Sequence, residues 1–125
     1  MILINQEIWQ NQLLLSKIMN QLIKKYFEHF SNKNIQMLKK MFSKNITLKD
    51  WEIKADGYDQ VVEANLKIFK SVDSIKVSLI DYFEKDKDCI CLIEILINEK
   101  DILKVIDVIK FDDQNLIKEI SAYKQ

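Results

Sequence analysis

In the stretch Leu103-Lys104-Val105-Ile106-Asp107-Val108-Ile109-Lys110-Phe111, Asp107 is the residue whose type invites chemistry. Side chains of a strand alternate between its two faces, so Leu103, Val105, Asp107, Ile109 and Phe111 share one. No other polar residue stands on that face. An ionised carboxylate is costly to bury there, so the group is expected to be protonated or specifically partnered. A carboxyl group that keeps its proton can donate a hydrogen bond, which marks Asp107 as a functional-site candidate.

Two further residues have the same character. Ile46-Thr47-Leu48-Lys49-Asp50-Trp51 alternates as a strand does and sets Asp50 on the apolar face of Ile46 and Leu48. Tyr26 places a phenol on an apolar helical stripe, between Leu22 and Phe30. Each has a structural alternative. A core tyrosine often packs with its hydroxyl satisfied at a rim, and an aspartate at a strand end often accepts backbone N–H groups.

The elements that must position these groups follow from periodicity and turn chemistry. Residues 7 to 30 read as a helix, with Leu15, Met19, Leu22, Tyr26 and Phe30 at steps of three or four. Residues 1 to 14 read as an N-terminal helical extension. Ser31-Asn32-Lys33-Asn34 breaks the pattern, and Asn34 is suited to cap a second helix bearing Ile35, Leu38 and Phe42. After the strand ending at Asp50, a loop with Asp56-Gly57 precedes a third helix whose inner stripe reads Tyr58, Val62, Leu66 and Phe69. Strands are then expected from Ile75 to about Phe83, over 89 to 98, over 102 to 111 and from Leu116 to Tyr123. Polar turns at 85 to 88, 98 to 101 and 112 to 115 join them. Short hairpin connections predict an antiparallel sheet. The strand over 89 to 98 is apolar on nearly both faces, as in a central, doubly covered strand. Helices first and strands last is an α+β pattern, expected as one domain over 1–125.

Composition excludes several classes. The chain has 125 residues, 48% hydrophobic and 30% charged, with 19 basic and 19 acidic residues. Every basic residue is a lysine, so the bidentate fork favoured for phosphates and base edges is absent. No segment gathers lysines free of acids, which argues against a nucleic-acid partner. The N-terminus lacks a signal peptide's basic start and small-residue cleavage site, and no run is apolar enough to span a bilayer, so no membrane partner and a cytoplasmic location are expected. Cys89 and Cys91 would share a strand face, a poor arrangement for a disulfide, and with one histidine no metal site is expected. His29, about one turn after Tyr26, reads as a surface residue or as the end of a proton relay.

The order helix-helix-strand-helix followed by a four-strand meander resembles the nuclear transport factor 2-like superfamily. The closing stretch VIDVIKFDDQNLIKEISAY is similar to the last hairpin of its SnoaL-like and ketosteroid isomerase-like members. The resemblance covers roughly residues 15 to 124. It implies a cystatin-like fold, three helices packed on a curved sheet that forms a cone with an internal pocket. Asp107 in Val-Ile-Asp-Val corresponds to the oxyanion-hole aspartic acid, Asp50 in Ile-Thr-Leu-Lys-Asp to the general base, and Tyr26 in Leu-Ile-Lys-Lys-Tyr to the oxyanion-hole tyrosine. The family's further tyrosines are replaced by Phe42 and Asn65, the usual proline after the base by Trp51, and a C-terminal pocket aromatic by Lys124. These departures argue against a steroid substrate.

What the resemblance implies is a cofactor-free isomerase or lyase, such as a dehydratase, acting on a small apolar carbonyl compound. Asp50 would abstract a proton, while Tyr26 and a neutral Asp107 would hold the enolate oxygen, roles for which ketosteroid isomerase is the established example. Leu22, Phe30, Leu48, Trp51, Val105, Ile109, Ile120 and Ala122 are then the expected pocket lining. The superfamily also contains non-catalytic ligand-binding and dimerisation modules. A homodimer through the outer face of the sheet is a further expectation.

Overall fold

The computed structural model describes residues 2–125, with side chains from residue 6 onward. Helix α1 (Ile2–Ser31) is 30 residues long, about 45 Å at 1.5 Å per residue. Its second half is anchored by Met19, Ile23, Tyr26 and Phe27, all buried. Its first half carries exposed Ile8, Trp9, Leu13 and Leu14. The expected extension over 1–14 is thus helical from Ile2, with Met1 and the side chains of 2–5 outside the described residues.

Asn34 caps α2 (Ile35–Met41) by accepting the Met37 N–H at 3.2 Å, as its position foretells. Phe42 leaves that helix and opens β1 (Phe42–Lys49), so the strand starts earlier than alternation alone suggests. The loop expected before Gly57 contains a short strand, β2 (Lys54–Asp56), followed by α3 (Tyr58–Ser71). A meander completes the chain: β3 (Ile75–Lys85), β4 (Asp88–Ile97), β5 (Asp101–Phe111) and β6 (Ile117–Lys124).

The six strands lie in the order β2-β1-β6-β5-β4-β3. All neighbours are antiparallel except β1 and β6, which run parallel. The expectation of a wholly antiparallel sheet is corrected there. Hairpin turns report only pairings between consecutive strands, whereas β1 meets β6 after most of the chain has intervened. Irregular register in β1–β6, at Leu79/Asp81 in β3–β4, and at Lys110/Phe111 in β5–β6 bends the sheet. Its concave face holds the core, with Ile46, Leu48, Cys91, Ile93, Val105, Ile109 and Ile120 all buried.

Two further expectations change. β4 lies second from the edge and its outer face is not covered within the chain: Ile90 is 44% exposed. On α3 the inner face is Val61, Val62, Asn65 and Phe69, while Leu66 is 36% exposed. The true stripe passes through a polar residue that a count of apolar positions steps over.

Gly57 joins β2 to α3 at φ 91° and ψ 161°, a region that side chains strain to adopt, and its N–H donates to Ile46 O at 2.8 Å. A Cβ there would meet nothing within 4 Å. Gly57→Ala is therefore expected to destabilise through backbone strain alone, by about 1–3 kcal/mol in chemical denaturation. An unchanged midpoint would show that the turn relaxes freely.

Candidate functional site

Between the concave face of the sheet, α1 and α3 lies a cavity of about 300 Å³. This is at the lower end of the range usual for small-molecule sites, about 300–1,000 Å³. Its walls are mostly aliphatic: Ile93, Ile95 and Ile97 from β4, Leu103 and Val105 from β5, and Ile120 from β6. An aromatic cluster closes the helical side, with Tyr26 and Phe27 rings 5.2 Å apart and Phe30 edge-on to Phe69 at 5.1 Å. Trp51, Glu52 and Ser71 are exposed lining residues and mark the opening. Lys124 extends its ammonium group over the Trp51 ring at 5.9 Å, so a cation–π contact stands at this rim.

Tyr26, Asp50 and Asp107 all line this one cavity. Of the expected lining residues, Phe30, Leu48, Trp51, Val105, Ile120 and Ala122 are there too. Leu22 and Ile109 are not. Ile109 is fully buried, and Leu22 packs against the solid core. The reason is depth. On α1 the lining begins at Tyr26, and on β5 it ends at Asp107, so those two residues form the floor. Leu22 and Ile109 lie below it. Alternation and helical period identify the face of a residue and leave its depth open. His29 does not line the cavity.

The environments of the three polar groups differ. Asp50 sits just past the end of β1 in an Asx turn, its Oδ1 accepting the N–H groups of Glu52 at 2.7 Å and Ile53 at 2.6 Å. The structural alternative for this residue is therefore present, yet it occupies only one carboxylate oxygen. Asp107 is 7% exposed and flanked by Cys91 on β4 and Ala122 on β6. Burial, followed by the negative charge of Asp50, pushes its carboxyl group up to about 7. Tyr26 is raised above the ordinary phenol range, mainly by burial and then by Asp107, so it remains a neutral O–H donor. Among the described residues neither the Tyr26 hydroxyl nor the Asp107 carboxyl has an internal hydrogen-bond partner. Among the described residues the one side-chain polar atom sealed off without a partner is Asn115 Oδ1, so both groups remain open to the cavity.

Burial also raises the thiol of Cys91, beside Asp107, which leaves it protonated and a poor nucleophile. Cys89 and Cys91 are both free. No three His, Cys, Asp or Glu side chains cluster as metal ligands among the described residues. Asn65, which the sequence sets only at the place of a family tyrosine and outside the expected lining, is a buried lining residue on α3.

No family model and no curated protein matches the chain. Solved structures do. A protein from Shewanella denitrificans, provisionally named a SnoaL-like polyketide cyclase, superposes with a TM-score of 0.77 at 14% identity, over 86% of this chain and 90% of that one. An NTF2-like protein of unknown function from Cytophaga hutchinsonii gives 0.72 at 15% identity, over 86% and 89%. A provisionally named ketosteroid isomerase from Kribbella flavida gives 0.74 at 9% identity, over 86% and 77%. The chain has the nuclear transport factor 2-like, cystatin-like α+β fold that its sequence resembles.

A raised carboxyl affects stability with a definite sign. Unfolded, Asp107 ionises near its ordinary value of 3.8; folded, it does so near 7. Between those values the folded state holds a proton that the unfolded state has lost, so this contribution to stability falls as pH rises. Asp107→Asn removes the charge while keeping the shape. Its stability gain over wild type is expected to grow from under about 1 kcal/mol at pH 4 to as much as about 4 kcal/mol at pH 8. A gap that stays constant across urea denaturations at the two pH values would contradict the buried, raised carboxyl.

Proposed function

We propose that the chain is a cofactor-free isomerase or lyase that abstracts a proton beside the carbonyl of a small apolar compound. The observation that carries this reading is the meeting of Tyr26, Asp50 and Asp107 on one apolar cavity, two of them without partners in the chain. Enolisation needs a base beside the acidic carbon and donors at the oxygen where charge develops. Asp50, oriented by its Asx turn near the opening, supplies the free carboxylate oxygen as base. Tyr26 and neutral Asp107 supply the donors at the floor. A preorganised donor in a dry site contributes roughly 3 kcal/mol, or about a hundredfold in rate. The fold is shared with proteins provisionally named as cyclases and isomerases, which is compatible with this chemistry and does not select among its forms.

The apolar outer face of the sheet favours an accompanying assembly reading. Cross-strand partners Phe83, Ile90 and Val108 form one row, and Leu92, Ile106 and Tyr123 the next. Phe83, Ile90 and Tyr123 are exposed, and a contiguous apolar patch of this kind marks an interaction surface. We infer that a second copy of the chain covers it, through a self-complementary two-fold contact. Free buried thiols and the lack of a membrane-crossing helix among the described residues support a reducing, cytoplasmic setting.

Asp50→Asn is expected to lower turnover of a β,γ-unsaturated ketone by about 10²–10⁴-fold with the fold intact. Unchanged turnover would remove Asp50 from its role, and binding without turnover in wild type would leave a ligand-binding module. Because Asp107 must be neutral to donate, kcat/KM should decline as pH rises through about 7. Asp107→Asn, which donates at every pH, should lack that limb. For the outer face, light scattering should give twice the monomer mass for wild type and the monomer mass for Ile90→Lys. A monomeric wild type would refute the pairing.

A further inference from the structure

Asn65 is 2% exposed, and its Nδ2 donates to Val61 O at 2.8 Å, one turn back along α3. That bond uses one of the amide's two N–H groups and leaves its oxygen unpaired among the described residues. The oxygen is not sealed off, because among the described residues the single sealed, unpartnered side-chain atom is Asn115 Oδ1. Asn65 therefore presents an unmet acceptor to the cavity that it lines. It makes no hydrogen bond with Tyr26 or Asp107, so it is not part of the floor's donor pair.

Burying an amide this way is expensive unless something meets it. Leucine or valine at position 65 would suit a cavity whose other walls include Phe30, Ile68, Ile93 and Ile95 better, and apolar contacts alone need no amide. Its location adds direction. Ser71, an exposed residue at the opening, lies six positions further along the same helix, about 9 Å away. Asn65 is thus set well inside, on the helical wall, while the carbonyl-binding groups come from α1 and β5. A ligand oxygen that accepts from Tyr26 and Asp107 cannot satisfy the Asn65 oxygen, which needs a donor group elsewhere on the ligand.

We propose that Asn65 is a specificity-determining residue that accepts a hydrogen bond from a hydroxyl or N–H group of the substrate, which is therefore a donor-bearing carbonyl compound rather than a plain apolar ketone. This rests on the reading of Tyr26 and Asp107 as the oxygen-binding pair. It gives the cavity two kinds of polar group: donors from α1 and β5, and on the α3 wall an acceptor that disfavours molecules unable to satisfy it. Sites built to bond a substrate hydroxyl discriminate against analogues lacking it because the site's own buried group is left unpaired.

The test uses phenols, whose oxygen stands in for an enolate oxygen. Affinity for 2-naphthol is compared by calorimetry at pH 6 with affinity for naphthalene-1,6-, 2,6- and 2,7-diol, in wild type, Asn65→Leu and Asn65→Ala. Asn65→Leu leaves the helix hydrogen bond to Val61 O with the backbone N–H of residue 65, and Asn65→Ala provides a smaller replacement should leucine fail to fit. The best diol is expected to bind wild type about tenfold tighter than 2-naphthol, the scale of one buried hydrogen bond. Either folded variant should bind the two within about twofold, with 2-naphthol affinity retained or raised, since no unpaired amide oxygen is then buried against it. Equal affinities in wild type, or a preference that survives both substitutions, would overturn the role of Asn65 while leaving the floor pair standing. If no phenol binds wild type, both the assignment of Asn65 and the reading beneath it fail.

Discussion

A carboxyl group held against aliphatic walls sets the terms for the whole site. Asp107 cannot be ionised cheaply in its position, and among the described residues no backbone N–H or lysine offsets the charge. The proton it keeps is the consequence. A group that is half neutral near pH 7 can both give a hydrogen bond and feel its neighbours: the charge of Asp50 raises Asp107 beyond what burial does, and Asp107 in turn raises Tyr26. Remove the desolvation and Asp107 becomes an ordinary surface carboxylate. The dry cavity is therefore the first requirement, ahead of any single side chain.

Keeping it dry is the task of elements far apart in sequence. α1 lays Tyr26, Phe27 and Phe30 across the concave face, and α3 seals the side through Phe69 and Ile68. The sheet contributes five strands to the wall, which is possible only because its irregular registers bend it around the helices. Below the floor the chain returns to solid packing, with Ile23, Ile109 and Ile117 fully buried. The volume not filled by side chains is consequently confined to one end of the cone, where the polar groups are.

How much of this was readable in advance depended on what kind of signal each residue leaves. Asp107 stood out because strand alternation leaves one polar residue on an otherwise apolar face, and burial confirms the face. Asn34 was readable because capping is a local matter, decided within four residues. The parallel contact of β1 with β6 was not, since nothing in either segment encodes a partner some seventy residues distant. Leu22 and Ile109 were placed on the correct faces and at the wrong depth, because period carries no information about where a cavity ends. For Asn65 the resemblance marks a lost tyrosine, while periodicity leaves it out of the inner stripe. Reading only apolar positions along α3 led to Leu66, although stepping from Tyr58 through Val61 or Val62 to Phe69 passes through position 65. A polar residue in an apolar stripe carries the same signal on α3 as on β5.

The two aspartates show why residue type alone does not assign a role. Asp107 lies deep, with both carboxyl oxygens free of chain donors and the charge opposed by its surroundings. Asp50 lies towards the opening, where two N–H groups of its own turn fix one oxygen and leave the other aimed without a partner. A proton acceptor has to reach substrate in a defined orientation and to exchange its proton with another site, and a rim position on a rigid turn meets both needs. A donor to a developing oxyanion has to stay neutral and keep water away, and a floor position meets those. Exchanging the two positions would place an ionised base where charge is most costly and a wet donor where it competes with solvent. In the proposed reaction, the asymmetry of burial, rather than the identity of either side chain, would therefore divide the labour between them.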